Sequence, residues 1–148
     1  MYRELKQCEK EILERLLAPE FPGSRELRGQ LEILKAKEID DDGGLELQTT
    51  GGTKAPVKWR VPTEAECADS DGGRIHILLH VLEGRMCELE LYREDGKRVL
   101  RFPCASDVEL FAPIGEEGKQ WKGETAKVTN LGAGSPVLDP SQPSEPAA

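Results

Sequence analysis

The chain has 148 residues, of which 32% are charged, and its formal net charge is -8 at pH 7. This length suits one domain that buries its own core without disulfides or metal ions. The excess of negative charge repels phosphate backbones and anionic lipid surfaces, so we expect neither nucleic acid nor membrane as a partner.

The N-terminal part of the chain is predicted to be helical. Its apolar residues fall on one helical stripe between positions 3 and 18, namely Leu5, Cys8, Ile12, Leu13, Leu16 and Leu17. Pro19 ends this helix, and a turn at F-P-G, residues 21–23, precedes Ser24, the expected N-cap of a second helix over residues 25–30. No apolar signal core lies at the N-terminus, so we expect a cytoplasmic protein.

The middle of the chain is predicted to form short antiparallel strands between Gly- and Asp-rich turns. The predicted strands are 31–39, 45–49, 61–67, 75–82, 86–92 and 98–102. Residues 108–112 indicate one more short element of undecided type.

The prediction is built around a β-hairpin at residues 74–96. This segment reads R-I-H-I-L-L-H-V-L-E-G-R-M-C-E-L-E-L-Y-R-E-D-G. Because side chains alternate across a strand, the loop length decides which residues share a face. A two-residue loop at Glu83 and Gly84 mixes charge into both faces, because Glu88 and Glu90 join the isoleucines while Leu89 and Leu91 join the histidines. A three-residue loop that begins at Leu82 places Ile75, Ile77, Leu79, Val81, Cys87, Leu89 and Leu91 together on an apolar core face. We adopt the three-residue loop, since a buried Glu needs a partner that the sequence does not supply.

The combined prediction is an α+β domain in which two N-terminal helices pack on one face of a mainly antiparallel sheet of five or six strands. The domain is expected to span residues 1–129, with its best-defined part at 2–102. Residues 130–148 are rich in Pro, Gly and Ser and are predicted to be a disordered tail.

The second face of the sheet is the candidate binding site. It is expected to carry Glu64, Glu66, His76, Leu78, His80, Glu88, Glu90 and Tyr92, together with Leu82 and Met86. Imidazole and carboxylate groups on one surface suit a divalent metal or a general base. A solvated sheet face is the simpler interpretation, because His76 and His80 lie about 13 Å apart along an extended strand. We therefore predict no metal, no cofactor and no catalytic residue.

Four widely spaced cysteines, Cys8, Cys67, Cys87 and Cys104, form no C-x-x-C pair. In a chain with no export signal they are expected to be reduced and buried. Cys67 and Cys87 are placed on the core face, which separates Cys87 from the histidines and argues against a Cys-His nucleophile.

Several segments taken together resemble a known family. They are F-P-G at 21–23, L-R-G-Q-L at 27–31, V-P-T-E-A-E at 61–66 and L-L-H-V-L-E-G-R-M-C-E-L-E-L-Y-R-E-D-G at 78–96. The combination resembles a family of small, uncharacterised bacterial proteins over roughly residues 2–102. The resemblance implies a small, soluble bacterial protein and assigns no catalytic residue.

The leading functional hypothesis is a non-enzymatic binding or protein-interaction module. Leu78, Leu82 and Met86 interrupt the polar face, which indicates cover by a partner protein, a second copy or a further segment of this chain. The alternative is a metal-dependent or His/Glu-based enzyme, or a small-ligand-binding protein, that uses the same face. A protein that inhibits another protein is also consistent with the acidic charge.

Overall fold

A computed structural model describes residues 1–111 and, beyond them, the backbone of two paired strands, Pro113–Ile114 and Lys119–Gln120. The predicted tail at 130–148 and the domain boundary at 129 lie outside the described residues.

Two helices follow a short first strand. The strand is β1 (Arg3–Glu4), and the helices are α1 (Gln7–Leu16) and α2 (Ser24–Leu31). The first helix begins later than predicted because Glu9 holds its N-terminus: the carboxylate accepts the Lys6 N–H at 2.8 Å and binds the Arg3 guanidinium at 2.9 Å. Residues 3 and 4 are thereby left free to pair as a strand.

The cap of α2 differs from the prediction. Gly23, at φ 94°, occupies the N-cap position, and Ser24 is the first helical residue. The Ser24 hydroxyl accepts the Phe21 N–H at 3.3 Å. A Cβ at position 23 would lie 2.5 Å from Val57, so both the backbone angle and the space there require glycine.

The sheet has seven antiparallel strands within the described residues, rather than five or six. Those after β1 are β2 (Lys35–Glu38), β3 (Leu45–Gln48), β4 (Thr63–Ala68), β5 (Arg74–Leu82), β6 (Arg85–Arg93) and β7 (Glu109–Phe111). They lie in the order β1-β2-β3-β6-β5-β4-β7. The short edge strand β1 was not predicted. The element of undecided type at 108–112 contains strand β7.

The strand predicted at 98–102 is wrong. The main-chain N–H groups of Leu100 and Arg101 donate to the Asp69 carboxylate at 2.7 and 3.1 Å, and that of Val99 donates to Asp42 at 2.8 Å. Side-chain oxygens take the place of a neighbouring strand, and the segment is held as a loop.

The core lies between the helices and one face of the sheet. Its largest fully buried side chains come from α1, α2 and the three central strands: Ile12, Leu13, Leu16, Leu27, Leu45, Ile75, Ile77, Leu79 and Leu89. The hydroxyl of Thr63 donates to the Leu16 carbonyl at 2.9 Å and fixes the end of α1 against β4. The helices cover one face of the sheet only, and the opposite face carries the candidate site.

Candidate functional site

The β5–β6 hairpin positions the candidate site through a tight turn and a bulge. Glu83 and Gly84 form a two-residue turn with φ values of 52° and 79°, which suits a type I′ hairpin. Val81 pairs with Met86, and the next residue along β5, His80, pairs with Glu88. Residue 87 is therefore unpaired, and the hairpin contains a β-bulge.

Because of this bulge, the loop length and the positions of Met86 and Cys87 differ from the predicted hairpin. The three-residue loop is wrong, but the bulge supplies the same odd residue, so Leu89 and Leu91 face the core as predicted and are at most 2% exposed. Met86, predicted on the opposite face, is buried in the core at 1% exposure. Cys87, predicted in the core, is the half-buried bulge residue, with its sulfur 3.6 Å from the His80 carbonyl.

The eight candidate residues lie on one side of β4, β5 and β6, and we call this surface the outer face. It comprises Glu64, Glu66, His76, Leu78, His80, Glu88, Glu90 and Tyr92. Cross-strand pairing arranges them in rows: Glu66, His76 and Tyr92 form one, and Glu64, Leu78 and Glu90 form the next. His80 and Glu88 begin a third row, which continues onto Glu46 of β3.

His76 lies in a stacked and hydrogen-bonded environment. Its ring stacks on Tyr92, with centroids 4.9 Å apart and an interplanar angle of 12°. Its Nε2 lies 2.8 Å from Glu94 and its Nδ1 lies 3.4 Å from Glu66. Burial raises the pKa of the Tyr92 hydroxyl, and neighbouring carboxylates, first Glu90, add to that shift. His76 is thus held by aromatic and acidic neighbours at one end of the outer face.

His80 lies at the other end of the face with a different set of partners. The Arg60 Nε–H donates to His80 Nδ1 at 3.0 Å. Because a guanidinium only donates, Nδ1 must accept, and Nε2 carries the proton of the neutral ring. That N–H donates to Glu90 at 2.7 Å. A ring nitrogen of His80 and one oxygen each of Glu88 and Glu90 lie within 4.8 Å of one another, close enough to hold a metal ion.

The four cysteines are free, as predicted, but they are not all buried. Cys67 lies in the core, whereas Cys8 and Cys104 are exposed. Burial raises the pKa of the Cys67 thiol, and burial likewise raises that of Cys87. Both groups therefore stay protonated near neutral pH and are poor nucleophiles.

The sequence prediction missed a buried ion cluster on the core side of the hairpin. Arg93 has a side chain only 3% exposed and binds three carboxylates, Asp69 at 3.1 Å, Asp71 at 2.9 Å and Asp95 at 2.6 Å. Gly73 makes room for it, since a Cβ there would lie 2.2 Å from the guanidinium. The signal was available, because Arg93 follows Leu89 and Leu91 in alternation on the core side.

The same cluster sets the pKa values of its acids. Burial would raise the pKa of Asp69, but hydrogen bonds from the Leu100 and Ser70 N–H groups and from Arg93 together lower it. The hydrogen bond from Arg93 lowers the pKa of Asp95 to about 2. This arrangement is structural: it ties the loop after β6 to the turn before β5.

Comparison with protein families shows that a model described as a domain of unknown function (DUF6984) matches residues 2–103. The chain belongs to this family. The DUF6984 range includes β1 to β6 and so the whole outer face, and it agrees with the resemblance seen over roughly 2–102. No curated protein and no solved structure matches the chain.

The two helices of the DUF6984 range are short. In the described part of the chain, α1 and α2 have ten and eight residues, and neither has the length or apolar run that a bilayer crossing needs.

Proposed function

We propose that this protein is a small, cytoplasmic, non-enzymatic interaction module whose outer face binds a basic segment of a partner protein. The observation that carries the proposal is the charge of that face. The four carboxylates Glu64, Glu66, Glu88 and Glu90 outnumber Arg74, the arginine of β5 on the same side, which pairs with Glu66 at 3.0 Å and with Glu109 at 2.7 Å. Complementary charge guides association and selects among partners.

The apolar groups of the outer face support a protein partner. Tyr92 is 41% exposed, and Leu82, which follows His80 on the same side of β5, is 54% exposed. A half-exposed aromatic ring among polar groups is typical of residues that anchor protein interfaces. Leu78 is half-buried and adds apolar area between the two histidines. Met86 adds no apolar area to the outer face, since it lies in the core.

Charge also favours a basic partner over a second copy of the chain. Each copy carries a net charge of -8, and two outer faces brought together would oppose carboxylates to carboxylates. A basic segment removes this repulsion and can pair with the carboxylates of Glu88 and Glu90.

The non-enzymatic and cytoplasmic parts of the proposal have support of their own. The thiols of Cys67 and Cys87 have raised pKa values, which disfavours covalent catalysis by either. Four cysteines without a disulfide suit a reducing compartment.

The test is a fluorescence-anisotropy titration of the full chain with a labelled Arg-rich peptide of about twelve residues, in a buffer that contains EDTA. The double variant E64Q/E88Q removes two charges from the outer face with little change in shape. Because exposed ion pairs contribute about 0.2 to 1 kcal/mol each, we expect affinity to fall roughly twofold to thirtyfold.

The matched control is E14Q/E32Q, which removes the same charge from exposed positions on α1 and at the end of α2. We expect this control to bind within about twofold of the native chain. Equal losses in the two double variants would show that the peptide senses net charge alone, and the proposed face would then be wrong.

A further inference from the structure

We infer that His80, Glu88 and Glu90 form a binding site for a divalent transition metal ion such as Zn²⁺. This inference goes beyond the interaction proposed above, because it concerns a small ion at one end of the outer face and needs no protein partner. Imidazole and carboxylate are a donor set that zinc uses in proteins.

The geometry needs only small adjustments to close around an ion. One candidate donor atom from each of the three residues lies within 4.8 Å of the others. Ligands about 2.0 to 2.1 Å from a tetrahedral ion lie roughly 3.3 Å from one another. The Glu90 side chain is 39% exposed and can rotate, whereas that of His80 is only 14% exposed and stays fixed. Three protein ligands leave the fourth position to water.

The β-bulge creates this cluster. The two-residue turn pairs Val81 with Met86, so an unbroken ladder would next pair His80 with Cys87 and turn Glu88 toward the core. With residue 87 skipped, Glu88 lies opposite His80, and Glu90 is two residues further along the same side. Bulges redirect side chains in this way beside functional sites.

Arg60 opposes metal binding, and this opposition provides a distinctive test. A metal on His80 Nε2 replaces the proton there, so the neutral ring carries its proton on Nδ1. An Nδ1–H then faces the Arg60 Nε–H, and the 3.0 Å hydrogen bond between these atoms is lost. The guanidinium also repels the ion. Removing Arg60 is therefore expected to strengthen metal binding.

The experiment is a calorimetric titration of the full chain with Zn²⁺ as the probe. We expect H80Q and E90Q each to lower the affinity at least about tenfold, since loss of even an outer-shell partner of a metal ligand costs about 10- to 100-fold. R60Q is expected to raise the affinity severalfold. E90Q changes an exposed side chain without altering its shape, so it keeps the test valid if H80Q folds poorly. H76Q is the matched control, and we expect it to bind Zn²⁺ within about twofold of the native chain.

Proton NMR with Co²⁺ in place of Zn²⁺ gives an independent measurement. The chain has two histidines, so the ring signals of His76 serve as an internal reference for those of His80. We expect the His80 signals to broaden at the lowest Co²⁺ concentrations. Equal broadening of both rings, or Zn²⁺ affinity unaffected by E90Q and R60Q, would overturn the inference. Because the peptide titration contains EDTA, failure here leaves the proposed interaction unaffected.

Discussion

Deletion of Cys87 is a demanding test of the hairpin geometry on which the outer face depends. Residue 87 is the one unpaired residue of β6, so its removal joins Met86 to Glu88 and yields an unbroken ladder. The core pairs and the His80–Glu88 pair all persist. The loss is a half-buried thiol whose sulfur lies 3.6 Å from a carbonyl, and we expect the free energy of unfolding to change by less than about 1.5 kcal/mol.

Deletion of Glu90 is the matched control, because it removes one residue from the same strand after the bulge. Each later residue then moves to the opposite face. Leu91 leaves the core, which costs about 1.5 to 3 kcal/mol. Arg93 leaves the fully buried Asp69, which costs about 3 to 5 kcal/mol. The sum, roughly 4.5 to 8 kcal/mol, is comparable with the whole stability of a small domain.

Urea denaturation followed by circular dichroism distinguishes the two deletions. We expect the Cys87 deletion to unfold cooperatively near the native midpoint, and the Glu90 deletion to be unfolded or aggregated in the absence of urea. If both deletions unfold the chain, or if both are tolerated, residue 87 is not the bulge and the assignment of side chains to faces is incorrect.

The remaining predictions concern buried polar groups. R93M leaves Asp69 buried without its partner, so we expect a loss of about 3 to 5 kcal/mol in urea denaturation. Asp69 and Asp95 have lowered pKa values, that of Asp95 about 2, so their stabilisation is complete above about pH 4 and is lost as the pH falls toward 2. The urea concentration at the midpoint of unfolding should therefore fall over the same pH range. We expect this fall to be less steep in R93M. Q30L removes three hydrogen bonds of a buried amide, whose nitrogen donates to two main-chain carbonyls and whose oxygen accepts from the Met86 N–H, and we expect a loss of about 2 to 4 kcal/mol. G73A should destabilise the chain, because its new Cβ would meet the Arg93 guanidinium.

The outer face could be predicted from the sequence because its signal is local. Alternation of apolar and polar residues shows which side chains share a face within β5 and within β6, and matching the two apolar patterns shows which faces of the two strands lie together. The sequence favoured a connection with one extra residue between the apolar patterns of β5 and β6. The structure has this extra residue, which is the bulge residue Cys87. The sequence could not say where that residue lies, because Leu82, Cys87 and Gly84 are each compatible with an irregular position.

Other features depended on distant contacts that no local pattern reports. The strand predicted at 98–102 is a loop because Asp69, about thirty residues earlier, accepts its N–H groups. Residues 3 and 4, which lie before the helix N-terminus held by Glu9, form a strand because β2 offers them a partner about thirty residues later. For Arg93 the local alternation did indicate a core position, but its partners Asp69 and Asp71 are more than twenty residues away in the sequence.

The cluster of His80, Glu88 and Glu90 also depends on contacts that the local sequence pattern does not report. Spacing along β5 separates His76 from His80 and so argued against a shared ion. It did not show that His80 meets carboxylates of the neighbouring strand, because that convergence depends on the cross-strand register. The register follows from the bulge, which the sequence did not locate.

The most direct test of the account is a nuclear magnetic resonance map of the surface that an Arg-rich peptide contacts. We predict that the largest amide shift changes on titration, again with EDTA present, fall on alternate residues of β4, β5 and β6, including His76 and Tyr92. Changes confined to α1 and α2, on the opposite side of the sheet, would contradict the claim that the outer face is the binding surface.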